Sequence, residues 1–339
     1  MPAYRVLIVD RRLPDASVER RELEGVDCEV VPVAVESEGE LIEAVTEADV
    51  VLNHALPMPR RVVEAMRHGK LIVRMGHGYE GIDIPAATEK GIMVANVAGS
   101  TSEEVSNHAF ALMLHCARRL YRMDRGVRAG KWAELWSREV GGQLWGETVG
   151  IFGFGHIGRT FARKANAFRM RVLAHDPWAG PWADLEEGVT IVSFDRLLRE
   201  SDYITVHSNY GPQSHHAFDA EAFSKMKPTA YLINTARGPV VDEKALIEAL
   251  KQGRVAGAGL DVFEKEPVEP GNPLLAMENV VLTPHIAGSS PGGWVRIRKG
   301  AAMDAARALQ GLRPHSLVNP EVLPKLGLVD GTLGGRSPA

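Results

Sequence analysis

The stretch "ETVGIFGFGHIGRTFARKANAFRMRVLAHDP" sets Gly153, Gly155 and Gly158 between an apolar run and a helical pattern carrying Ile157, Phe161 and Ala165. That spacing constrains the chain to a strand, a tight turn and a helix folded back on the strand. The first two glycines allow a sharp turn and close backbone approach to a pyrophosphate, and Gly158 lets helix and strand pack closely. The helix start, at His156 and Ile157, then offers free N–H groups to an anion.

Asp176 ends the next apolar run, "RVLAHD", about 20 residues beyond the glycines, where a carboxylate can accept hydrogen bonds from adenosine ribose hydroxyls. A 2'-phosphate would be repelled there, so NAD is expected rather than NADP. Arg169 and Arg171 are close enough in sequence to blur that preference, the plainer reading being solvated flank charges.

Around this unit, short β-branched runs alternate with helical patterns along the chain. "YRVLIVD" (4–10), "CEVVPVAV" (28–35), "ADVVLN" (48–53), "KLIVRMG" (70–76) and "GIMVAN" (91–96) are separated by "GELIEAVTEA", "PRRVVEAMRHG" and "PAATEKG", with Gly69 and Gly91 as helix stops. The alternation reads as βαβ units building a parallel sheet covered on both faces. This first unit ends near Val97.

A long packed helix is expected next, over "GSTSEEVSNHAFALMLHCARRLYRMDRGVRAG", opened by a capping box from Thr101 to Glu104 and serving as a connector between domains. Six further strands follow, "ETVGIFGFG", "MRVLAHD", "DYITVHS", "TAYLINTARG", "VAGAGLDVF" and "NVVLTPH", reading as a doubly wound sheet. After Gly288 the pattern is helical and then extended, and a Gly/Pro-rich tail over 331–339 is expected to be disordered.

Composition narrows the partners. A chain of 339 residues, 45% hydrophobic, can bury the cores of two domains, and a net charge of -4 leaves no basic footprint for nucleic acid or a membrane surface. Cys28 and Cys116 have no disulfide or zinc spacing, and His54, His108, His115, His175, His215 and His216 have no metal-ligand spacing, so no metal is assigned. Without a secretory or membrane-spanning pattern, the expectation is a cytoplasmic protein acting on a small molecule.

Three later strand ends carry polar residues in apolar surroundings: Arg237 in "LINTARGPVVD", Glu266 in "AGLDVFEKEP" and His285 in "LTPHIAG". Arg237 offers a charged planar fork that matches a carboxylate. A carboxylate against His285 would favour the imidazolium and keep a proton ready for a developing alkoxide. Glu264 competes with Glu266 for that place, and spacing does not choose between them.

In this order and spacing, "GFGHIGR…HDP", "LINTARG", "GLDVFEKEP" and "LTPHIAG" resemble the D-isomer specific 2-hydroxyacid dehydrogenase family over nearly the whole chain, glyoxylate/hydroxypyruvate reductases and phosphoglycerate dehydrogenases included. The resemblance implies an α/β fold of two Rossmann-like domains, with a doubly wound NAD-binding domain (100–289) inserted in a flavodoxin-like substrate domain (1–99 and 290–330). It implies hinges near Val97 to Ser102 and Gly288 to Gly293, and homodimers formed through the NAD-binding domains. It assigns Arg237, Glu266 and His285 as the catalytic trio, choosing Glu266 over Glu264 by analogy. Thr235, Ala236 and Asp261 are implied at the nicotinamide ring and its carboxamide, with Gly288 in the adjoining loop, and His207, Arg237 and His285 among the cofactor-binding residues.

By the same resemblance, "RMGHGYEGID" (74–83) is the substrate loop, whose backbone N–H groups at His77 and Gly78 receive the substrate carboxylate. His77 departs from the small or aliphatic residue usual there, and either hydrogen-bonds a hydroxylated or phosphorylated substrate tail or points to solvent. "VHSNYGPQSHHAF" (206–218) departs too, keeping His207 but not the Pro and Thr-rich turn usual after it. Trp132, Trp136, Trp145 and Trp294 are read first as core or interface packing, with one of them a candidate wall of the substrate pocket.

The implied reaction is reversible hydride transfer between NAD and C2 of a 2-hydroxy or 2-oxo acid, His285 exchanging the proton. The rival readings are a phosphite-type or formate-type dehydrogenase of the same fold, the second opposed by Glu266 where formate enzymes carry Gln, and a non-catalytic NAD-sensing, corepressor-like scaffold.

Overall fold

Twelve parallel-paired strands, in two sheets, organise the computed structural model, which describes residues 2–138, 141–178 and 188–327. The tail over 331–339 lies outside the described residues. The chain divides into two units, Met1–Thr101 with Ser290–Ala339, and Ser102–Ser289.

In the first unit β1 (Tyr4–Asp10), β2 (Cys28–Ala34), β3 (Val50–Asn53), β4 (Leu71–Arg74) and β5 (Met93–Asn96) pair in the order β2-β1-β3-β4-β5. This is the flavodoxin-like order, which reverses direction between β1 and β3. Successive side chains on a strand face opposite ways, so a sheet apolar at every position must be covered twice. Val6, Ile8, Leu52 and Val73 pack under Ala301, Ala302 and Ala305 of the helix Pro291–Leu309. Leu7, Val9, Val51 and Ile72 pack on the other side against Leu41, Val45, Val62 and Val63.

The helix Pro291–Leu309 returns the chain to this unit after the whole second unit has been built. Ser290 caps it, its Oγ accepting from Gly293 N at 2.8 Å, and Pro291 occupies the first turn, where no N–H is missed. It is also pinned by a buried ion pair: Arg298 Nε donates to Glu19 Oε1 at 2.7 Å, on the helix Ser17–Glu22.

The second sheet contains β6 (Thr148–Phe152), β7 (Arg171–His175), β8 (Val189–Ile191), β9 (Tyr203–Val206), β10 (Tyr231–Asn234), β11 (Gly257–Leu260) and β12 (Val280–Leu282). Their order, β12-β11-β10-β9-β6-β7-β8, is the doubly wound arrangement, built outward in both directions from β6. Six strands are expected from sequence; the seventh, β8, is a three-residue edge strand too short and too exposed to carry a pattern.

The connector is likewise shorter than its pattern predicts. The helix Ser102–Arg118 buries Leu112, Met113 and Cys116 against the sheet, but Arg119 turns left-handed (φ 51°) and separate helices follow at Leu120–Arg128 and Trp132–Arg138. Leu120–Arg128 buries no residue, so the helix loses its packed face at the point where it breaks. No helix among the described residues is long and apolar enough to cross a membrane.

Arg298→Leu would strand the Glu19 carboxylate, which has no exposed surface. Urea unfolding of that variant should show a loss of about 3–5 kcal/mol, most of it recovered when Glu19 is replaced by Leu as well. Equal stability of single variant and parent would contradict the account.

Candidate active site

Every strand of a parallel sheet ends at the same edge, and in the second unit that edge gathers the polar residues singled out from sequence. Gly153 follows β6, Asp176 follows β7, His207 follows β9, Thr235 to Arg237 follow β10, Asp261 follows β11, and Thr283 to His285 follow β12.

His285 Nδ1 lies 2.6 Å from Glu266 Oε2, and both side chains are partly exposed. Glu266 is held from behind, its Oε1 accepting from Phe263 N at 3.0 Å. Burial pushes the Glu266 carboxyl up, but the hydrogen bonds from His285 and Phe263 and the charges of His285 and Arg237 outweigh it, leaving the group below its ordinary value. An ionised carboxylate only accepts, so the proton of this bond sits on Nδ1 and Nε2 is the outward edge of the ring. Glu264 is engaged elsewhere, its Oε1 2.5 Å from His216 Nε2.

Arg237 is half-buried and its loop is tightly seated. Asn234, buried at the end of β10, donates from Nδ2 to Arg237 O at 2.9 Å and accepts from Ala236 N at 3.0 Å. A Cβ on Gly238 would come within 1.8 Å of Phe263 O, so only glycine lets the Arg237 loop lie against the loop that carries Glu266.

Asp261 has a structural task that its sequence position does not reveal. Its carboxylate has no exposed surface and accepts from Thr283 Oγ1 at 2.6 Å, Ile286 N at 3.0 Å and Ala287 N at 2.8 Å, while His285 N donates to its carbonyl at 2.8 Å. His108 Nε2, from the helix Ser102–Arg118, lies 2.9 Å from Thr283 Oγ1. These bonds wrap the loop that carries His285, whose backbone is left-handed (φ 54°). Neither His108 nor Thr283 stands out in sequence; a buried hydrogen-bonding position on a packed helix is the only signal, and a weak one.

The glycine turn opens on a cavity of about 440 Å3 lined by Gly153, Gly155, Asp176, Trp178, His207 and Tyr210 among others. Gly153 is left-handed (φ 93°), and a Cβ on Gly158 would lie 2.3 Å from Gly153 O, so these two serve the fold. At Gly155 a Cβ would meet nothing within 4 Å: the turn is open on that side. Asp176 braces it, Oδ2 accepting from Phe154 N at 2.8 Å and Oδ1 from Trp178 N at 2.8 Å, which leaves each oxygen a further lone pair.

Three buried polar atoms at this edge lack protein partners: His207 Nδ1, Ser208 Oγ and Thr235 Oγ1. Burial pushes the His207 imidazole down to about 3, so it is neutral at working pH. An open glycine turn at a helix start, a carboxylate at the end of the neighbouring strand β7 and unsatisfied polar atoms on the other side of the turn, after β9 and β10, fit a dinucleotide. His156 and Ile157 open the helix His156–Ala167, and Gly288 lies in the turn after Ala287.

In the first unit the residues expected to form the substrate loop are seated as firmly. His77 Nε2 accepts from Gly99 N at 3.0 Å and its carbonyl from Asn96 Nδ2 at 2.6 Å, so the ring is turned into its own unit and acts as a brace. Gly78 follows it in the same loop, between β4 and the helix Ile84–Glu89.

A family model described as D-isomer specific 2-hydroxyacid dehydrogenase, NAD binding domain, matches residues 110–287. The chain is 41% identical over 286 residues to a glyoxylate reductase of Korarchaeum cryptofilum, covering 84% of this chain and 86% of that protein. Among solved structures, a glyoxylate reductase from Paecilomyes thermophila is similar at TM-score 0.84 and 30% identity, over 95% of this chain and 99% of that one. A D-lactate dehydrogenase of Aquifex aeolicus complexed with NAD and lactic acid is similar at TM-score 0.80 and 28% identity, over 93% and 99%.

The two glycines at the helix start are separable by experiment. Gly155→Val should fold with an unchanged melting temperature yet lose at least about tenfold in NADH affinity by fluorescence titration, because its side chain enters the space a pyrophosphate needs. Gly158→Ala should instead lower the melting temperature, its Cβ falling 2.3 Å from the Gly153 carbonyl oxygen. The reverse pattern would refute the assignment.

Proposed function

The chain belongs to the D-isomer specific 2-hydroxyacid dehydrogenase family, NAD-dependent oxidoreductases of 2-hydroxy and 2-oxo acids, and on that premise we propose that His285 is its proton donor, Glu266 the carboxylate that orients it, and Arg237 the cation that holds the substrate carboxylate. The observation that carries the reading is the 2.6 Å bond between His285 Nδ1 and Glu266 Oε2, with the charge of Arg237 acting on the same carboxylate.

The glycine turn and Asp176 would hold NADH, which when bound would supply the hydride for the carbonyl carbon at C2. As the carbonyl oxygen gains charge, His285 delivers the proton from Nε2, and Glu266 compensates the imidazolium that stood there before transfer. Arg237 pairs with the substrate carboxylate through its planar fork and sets the carbonyl in line with the donor. Backbone N–H groups at His77 and Gly78 are assigned to the same carboxylate. Thr235, Ala236 and Asp261 are assigned to the nicotinamide half of the cofactor, with Gly288 in the adjoining loop, Gly153, Gly155, His156, Ile157, Gly158 and Asp176 to its pyrophosphate and adenosine ribose, and His207, which lines the cavity at the glycine turn, to the cofactor as well. For Asp261 the spare lone pairs of its carboxylate are few, so its contribution on this reading is mainly through the loop it organises. In the oxidative direction His285 accepts the hydroxyl proton, and the same residues serve.

The dimer belongs to the same proposal, two copies pairing through their NAD-binding units. Its support is the apolar surface of the helices Leu120–Arg128 and Trp132–Arg138, where Leu120, Tyr121, Val127, Trp132 and Trp136 are all exposed. Such a cluster on one arm is more apolar surface than a chain commonly leaves in water.

His285→Ala should abolish 2-oxo acid reduction while NADH still binds. Glu266→Gln should lower kcat by about 10²-fold or more, and Glu264→Gln should have a much smaller effect. Near-normal turnover in either of the first two would overturn the assignment. Trp132→Glu combined with Trp136→Glu should convert a dimer to monomers in light scattering; a parent that is already monomeric would end that part of the proposal.

A further inference from the structure

The first unit holds a cavity of about 180 Å3 that no step above uses. Asp10 at the end of β1, His54 just past β3 and Met75 just past β4 line it, together with Leu13 and Trp294. It therefore stands beyond the carboxyl ends of β1 and β3, the two strands at which this sheet reverses its order. Ligands of open parallel sheets gather at that position.

The turn that presents His54 is built for the purpose. Asn53 is fully buried, and its side chain closes the turn by donating from Nδ2 to Leu56 O at 2.8 Å and accepting from Leu56 N at 3.0 Å. His54 is thereby carried past the strand end, and its ring is held from two sides. Nδ1 lies 2.9 Å from Asp10 Oδ2, and the ring packs on Trp294 with centroids 4.5 Å apart. Nε2 is the remaining polar atom of a ring that Asp10 and Trp294 have already oriented. One oriented polar edge among Leu13, Met75 and Trp294 is the layout of a small-molecule pocket.

The charges around the cavity decide what can enter. Asp10, Asp15 and Glu19 line it, against Arg12 and Arg298. The Arg298 guanidinium is spent on the first two turns of its own unit: it donates to Glu19 Oε1 at 2.7 Å and to Asp15 Oδ2 at 3.3 Å. Arg12 sits exposed at the rim. With three carboxylates against two cations the lining is net negative, which opposes a tail ending in carboxylate or phosphate. A hydroxyl meets no such opposition and, being both donor and acceptor, can bond Nε2 in either protonation state of the ring. The volume is also small, roughly six water-sized spaces at about 30 Å3 each.

Met75 directly precedes Gly76, and His77 follows two residues on, within about 7 Å of fully extended chain. The cavity thus begins beside the loop to which the substrate carboxylate is assigned. We propose that the Asp10–His54 pair is the specificity determinant for the substrate tail, selecting short, uncharged 2-oxo acids that carry a hydroxyl at C3 or C4 over those ending in an alkyl group or an anion. This rests on the oxidoreductase reading above, and goes beyond it by naming the tail and the residues that choose it.

The test compares NADH-dependent reduction of hydroxypyruvate, pyruvate and oxaloacetate by the full-length enzyme. Unmodified protein should favour hydroxypyruvate over each of the others by at least about tenfold in kcat/KM, since a site built to bond a hydroxyl rejects analogues that lack it. His54→Leu should collapse the hydroxypyruvate-to-pyruvate ratio by about tenfold or more, chiefly through KM, and His54→Asn should restore part of it. Asp10→Asn should fall between, because the ring keeps Trp294 but loses its anchor. NADH affinity, read by fluorescence titration, reports whether each variant is folded at its cofactor site. A parent enzyme that prefers pyruvate or oxaloacetate overturns the proposal without any variant, and so does a ratio unmoved by His54→Leu. His285→Ala separates the two readings: turnover surviving in that variant sinks the proton-donor assignment, while the ratio still reports on His54.

Discussion

A single buried carboxylate, Asp261, constrains everything at the reactive edge of the second unit. An unpaired charge without exposure is costly, so its lone pairs must be filled from nearby, and the segment that fills them is Thr283 to Ala287. Closing around Asp261 leaves His285 no ordinary backbone conformation; it sits at a φ of 54°, which residues with a Cβ seldom adopt. The strain is confined to the residue whose ring must leave the loop and meet Glu266. His108 extends the network to the helix Ser102–Arg118, so the histidine loop is anchored to the core of its unit as well as to β11.

The gathering of distant residues follows from the parallel sheet. Parallel neighbours need a crossover, and each crossover brings the next strand back in the same direction, so all strand ends fall on one edge. Residues spread from Gly153 to His285 come together there although they are supplied by strands far apart in the chain. The first unit repeats the device on a smaller scale, with Asp10, His54 and Met75 supplied by the ends of three adjacent strands.

What could be read from the sequence was what local sterics or periodicity encode. Gly153 and Gly158 announce themselves because a Cβ would lie 2.5 Å from Ser208 N at the first and 2.3 Å from Gly153 O at the second, a closeness only glycine permits. The strands could be read because a sheet covered on both faces is apolar at every position. Glu264 and Glu266 could not be told apart, since both lie in an irregular loop whose direction is set by Phe263 N–H on one and His216 on the other. The break at Arg119 carries no glycine or proline to mark it; what ends there is burial, a property of the packed unit and not of the segment. Asp10 and His54, 44 residues apart, have no common signature short of the fold itself.

The polar residues sort by whether their bonds are internal. Asn53, Asn234 and Asp261 spend their hydrogen-bonding capacity on their own loops, and each of those loops carries one further polar residue, His54, Arg237 and His285 respectively. A buried side chain that satisfies its own turn makes the turn rigid, and rigidity lets the presented group act at a defined place without paying an ordering cost on binding. The hydrogen bonds that hold His54 involve none of the groups that hold His285. On the proposed assignments, exchange of Asp10 or His54 alters what the first unit accepts while the hydrogen bonds that hold His285 stay as they are.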